Sequence, residues 1–116
     1  MSLAHLRTKY RIDGRQRTPY LITEVTRMKG DRVCVACLDI STGRMVRPLT
    51  SGSQYWPSHL TAQTLRPGAI VRHKAFDLQR GRGFPHQTED RQMDDEPSLV
   101  AHLEPAAFLD IMLSQR

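Results

Sequence analysis

The chain has 116 residues, 39% hydrophobic, 25% charged and 6% aromatic, enough for one compact domain with a modest core and too little for a second. Its apolar runs, such as Val33 to Leu38 and Ala106 to Leu109, fall far short of the roughly 20 residues a membrane-spanning helix needs, and two cysteines are too few for a disulfide framework. The net charge of +5 belongs to the first half: residues 1–50 hold ten Lys or Arg against four Asp or Glu, while residues 51–116 hold seven against eight.

Residues 1–18 are basic and polar, with Arg7, Lys9, Arg11, Arg15 and Arg17 around an Asp13-Gly14 turn signal. They read as an N-terminal arm or lead-in loop, with room for a short strand at Arg7 to Ile12. The start lacks the apolar stretch of a secretory signal, so a cytoplasmic setting is expected. Pro19 opens Tyr20-Leu21-Ile22-Thr23-Glu24-Val25-Thr26, a β-branched and aromatic strand closed by the Lys29-Gly30-Asp31 turn. Arg32 to Asp39 is apolar on both alternations, which predicts a central strand covered on both faces. Ser41-Thr42-Gly43 is a tight turn, and Arg44 to Arg47 pairs back before Pro48, completing a meander.

Thr50 to Pro67 is a long connection with a helical turn near Ser58 to Thr64. After the Pro67-Gly68 turn, Ala69 to Leu78 reads as one strand. Gln79 to Gly83, with two glycines and two arginines, reads as a mobile loop, and Phe84 to Asp90 as a short edge strand. Pro97 and Pro105 each stand where a helix can begin. Phe108, Leu109, Met112 and Leu113 repeat at helical spacing, predicting a C-terminal helix from about residue 105. The fold class is therefore mostly β: residues 19–116 form a single small, curved antiparallel barrel of OB-like type, closed at one end by that helix.

Three groups of residues carry candidate chemistry. Cys34-Val35-Ala36-Cys37 has the spacing of half a zinc site, but residues three apart on a strand face opposite ways. Core cysteines are the better reading, and no metal or cofactor is expected. Pro85-His86-Gln87-Thr88-Glu89-Asp90 places a His and two carboxylates within five residues. That string could do acid/base work in a small enzyme, or serve as a structural motif whose polar groups bond neighbouring loops. The third group is basic: Arg27, Arg32, Arg44 and Arg47 on consecutive strands, joined by Arg72 and Lys74, with Tyr55 and Trp56 nearby. Fourteen of the seventeen basic residues are Arg, whose planar fork suits phosphate contact and stacking; the competing account is codon bias in a GC-rich genome. A basic curved sheet with aromatics holds single-stranded DNA or RNA by charge and base stacking. The opposing reading is a solvated face.

Arg32-Val-Cys-Val-Ala-Cys-Leu-Asp39, Thr42-Gly43-Arg44-Met-Val-Arg47-Pro48 and the Pro85 to Asp90 string together resemble the dual OB-containing domain family of prokaryotes, over about Tyr20 to Asp95. Cys37 stands where that family has Gly, and Met45 where an aromatic is usual. The resemblance implies an OB-like fold and a nucleic-acid role. A second resemblance runs through Arg11-Ile-Asp-Gly-Arg15 and Asp39-Ile-Ser41, similar to the two motifs of PilZ domains, cyclic-di-GMP receptors whose paired arginines grip guanines and phosphates. There the turn ends in a glycine where this chain has Arg44. The expected function is non-enzymatic nucleic-acid binding, with single strands preferred because no helix is placed to read a major groove. A cyclic-dinucleotide receptor or a small enzyme is the alternative.

Overall fold

A computed structural model describes residues 2–11, 17–49, 55–62, 64–73, 75–77, 90–93 and 97–114. The elements in chain order are α1 (Leu3–Lys9), β1 (Thr18–Met28), β2 (Arg32–Asp39), β3 (Met45–Leu49), β4 (Trp56–Pro57), a 3-10 turn (Ser58–Ala62), β5 (Ala69–His73), β6 (Ala75–Asp77), β7 (Asp90–Met93), β8 (Ser98–His102) and α2 (Pro105–Ser114). The strands form one sheet in the order β6-β7-β3-β2-β1-β5-β8, with β4 added to β2. Every pairing is antiparallel except β3 with β7. The fold is thus mostly β with a C-terminal helix, as the sequence indicates. The sheet is not closed: β6 and β8 end the order and do not pair with each other among the described residues.

β1 and β2 carry the architecture because their alternation fills two cores. Tyr20, Ile22, Val33, Val35 and Cys37 point to one side, where Val46, Trp56, Leu65 and Val71 join them. Leu21, Leu38 and Ile70 point to the other, where Leu6 of α1 and Ile111 of α2 cover them. The two faces are called here the inner and the helix face. A bulge between Ile22 and Glu24 lets β1 change partners. Tyr20 and Leu21 pair with both β2 and β5 and Thr18 and Pro19 with β5, whereas Glu24 to Met28 pair with β2 alone. The Thr23 hydroxyl donates to the Ala36 carbonyl at 3.0 Å, giving an acceptor at the irregular point of the ladder its partner.

Four local expectations are corrected. Leu3 to Lys9, within the expected arm, is a helix: Ser2 caps it by accepting the His5 amide at 3.2 Å, and Leu6 is wholly buried. Ala69 to Leu78 is not one strand, since β5 ends at His73 and the chain joins β7 through β6. Pro48 does not end β3 but lies within it, opposite Arg91 of β7. Pro97 precedes a strand, β8, and only Pro105 opens a helix. Cys34 and Cys37 lie on opposite faces of β2 as alternation requires, Cys37 in the inner core and Cys34 outside it.

The Asp39 to Arg44 turn is built by its polar residues. The Asp39 carboxylate Oδ1 accepts the amides of Ser41 at 2.9 Å and Thr42 at 3.2 Å. The Gly43 amide returns to the Asp39 carbonyl at 2.7 Å, with Gly43 at φ 78°, a conformation that favours glycine. Arg7 of α1 then donates from Nε to the Ile40 carbonyl at 3.0 Å, fastening the helix to this turn.

Candidate nucleic-acid interface

The structure divides the expected basic strip between two ends of the sheet. Arg27 and Arg32 lie at the β1–β2 hairpin, where Arg27 stands opposite Val33 and Met28 opposite Arg32. Arg44 lies at the other end of β2, its carbonyl accepting the Asp39 amide at 2.8 Å. Asp39 stands seven residue steps from Arg32, about 23 Å along a strand, so Arg32 and Arg44 do not face each other at one rim. Arg72 is also at the far end, opposite Pro19 and Ser98. Arg47 is half-buried on β3, in register with Asp90 at the start of β7. Lys74 and the string Pro85, His86, Gln87, Thr88, Glu89 lie outside the described residues, and Asp90 opens β7.

Trp56 is not a stacking platform. Its ring is 3% exposed, its Nε1 donates to the Pro48 carbonyl at 2.9 Å, and His73 meets it edge-on with centroids 6.0 Å apart. The indole fills the inner core because its one donor finds a main-chain acceptor there, the condition for burying Trp without penalty. The inner core leaves a cavity of only about 10 Å³, among Tyr20, Ile22, Cys37, Trp56, Val71 and His73. That holds about one water and no base.

What remains at the hairpin end is compact. Tyr55 is half-buried, and its carbonyl accepts from Arg32 Nη1 at 3.1 Å. Arg32 is paired through the backbone to both Met28 and Pro57, so its guanidinium is held beside the segment that carries the tyrosine. Arg27 and Lys29 are exposed at the same end. Arg27 shares the inner face with Val33, whereas Arg32 leaves the opposite face, so the cations straddle the hairpin ribbon. Sequence reasoning placed both arginines here but missed the Arg32–Tyr55 contact, which depends on the two-residue strand β4.

The segment resembling the second PilZ motif has a local role: Asp39 caps the turn through Ser41 and Thr42. No family model, curated protein or solved structure matches the chain. No helix among the described residues is long and apolar enough to cross a membrane.

Proposed function

We propose that the protein is a nucleic-acid-binding module that takes a single strand at the β1–β2 hairpin end, with Arg27, Lys29 and Arg32 on phosphates and Tyr55 against a base. The observation that carries this reading is Arg32. Among the described residues its guanidinium's one hydrogen bond goes to the neutral main-chain carbonyl of Tyr55, so a charge without a carboxylate partner there is held against the backbone of an aromatic residue. Charge and a π-face side by side are what a flexible strand with unpaired bases can use, whereas a stacked duplex offers no base face. Three phosphate contacts at about −0.7 each predict that log affinity for a labelled oligothymidylate falls by about 2 per decade of salt. Arg32→Ala removes one contact and flattens that slope by about 0.7. A salt-independent affinity, or equal affinity for duplex and single strand, refutes the reading.

A further inference from the structure

We propose that Arg7 and Arg72, standing on either side of Pro19, bind a phosphoryl oxyanion. This site lies at the sheet end opposite the hairpin and does not depend on the reading above. Its frame is the backbone: the Ile40 amide donates to the Pro19 carbonyl at 3.1 Å, and Pro19 is in register with Arg72 of β5. Ile40, Pro19 and Arg72 therefore lie abreast on neighbouring strands, with about 10 Å from first to last. Arg7 descends from α1 to the Ile40 carbonyl. Arg72 alternates with Ile70, whose side chain is in the helix-face core with Leu6 of α1. Both guanidiniums thus stand on the same side of the sheet.

Arg7 gives Nε to Ile40, and Arg72 gives Nη2 to the Arg11 carbonyl at 3.4 Å; among the described residues neither has a carboxylate partner. The Arg72 Nε is buried and has no acceptor among the described residues. A buried donor on a charged group is rarely left unmade, and an acceptor entering between the two arginines would satisfy it. The nearby Asp39 carboxylate is directed to the Ser41 and Thr42 amides. Exposed Lys9, Arg11 and Arg44 add positive potential around the site. Two planar forks on one side of this sheet end match a tetrahedral phosphoryl group, which offers acceptors on several sides, better than they match a planar carboxylate. The group comes either from a free phosphate or mononucleotide or from the phosphodiester of a strand.

The test is calorimetric titration of the full chain with inorganic phosphate, a 5′-mononucleotide and a short oligothymidylate. The variants are Arg72→Gln, Arg72→Lys, Arg7→Gln and, as a charge-matched control outside both sites, Arg66→Gln at an exposed arginine. The expected result is saturable binding that weakens at least about tenfold in Arg72→Gln and Arg7→Gln, weakens also in Arg72→Lys, which keeps the charge without the fork, and is unchanged for inorganic phosphate in Arg66→Gln. Loss confined to the oligothymidylate identifies a phosphodiester as the source; loss with phosphate and mononucleotide identifies a free phosphate. Should Arg72→Gln lose its native circular dichroism, Arg7→Gln decides, because Arg7 is exposed. No binding of any of the three probes by the wild type, or undiminished binding by a folded Arg7→Gln, overturns the proposal.

Discussion

Asp39 is 2% exposed and still polar, because the turn that follows it needs an acceptor inside. Removing the carboxylate leaves the Ser41 and Thr42 amides without it, so Asp39→Ala should lower unfolding stability by about 1–3 kcal/mol in urea denaturation. Asp39→Asn keeps an acceptor oxygen and should cost clearly less; equal losses would mean that the turn does not depend on this contact. Trp56 obeys the same rule from the donor side. Trp56→Phe orphans the Pro48 carbonyl and should cost about 1–3 kcal/mol while leaving oligonucleotide affinity unchanged. Lost affinity at unchanged stability would return Trp56 to the interface. The sequence made Asp39 legible, since Asp before Ser-Thr-Gly is turn chemistry. It could not distinguish a buried Trp from an exposed one, because that depends on whether a carbonyl eight residues away comes within reach.

At the scale of elements, α1 shows how tertiary contact overrides local weakness. Seven residues are too few for a helix to persist alone in water, so α1 exists through Leu6 in the helix-face core and Arg7 on Ile40. Leu6→Ala should therefore cost about 2–5 kcal/mol, and hydrogen exchange should show α1 amides losing protection before those of β2; protection retained in α1 would contradict this dependence. The helix was legible in principle: Ser2 is a capping residue, and Leu3, Leu6 and Tyr10, all packed on the helix face, have helical spacing. The dense arginines around them carry the signature of an arm and masked it. The meander β1–β2–β3 and the helix α2 were legible because their turns and periods are local. The β3–β7 pairing was not, since it joins Arg47 to Asp90 and no local pattern encodes a partner that far along the chain.

The whole molecule is a sheet with a core on each side, and both cores draw on the same strands. Leu21 and Ile22, Cys37 and Leu38, and Ile70 and Val71 are neighbours in the chain that point to opposite cores, so neither core can melt while the other keeps its strands. Unfolding followed by the single tryptophan, which reports the inner core, should coincide with unfolding followed by circular dichroism at the helical band, which reports the outer layer. Separate midpoints would show two independent units. The doubled apolar pattern also has a consequence for how the chain can go wrong. In a sheet with one wet face, sliding a strand by one residue exposes its apolar side chains and buries its polar ones, so the error corrects itself. Here a one-residue slip of β2 on the first half of β1 sets apolar groups against apolar groups on both sides and meets little solvation penalty. Misregistered sheets are the natural kinetic trap of this chain, and fidelity during refolding falls to two polar pins, the Asp39 turn and the Thr23 bulge.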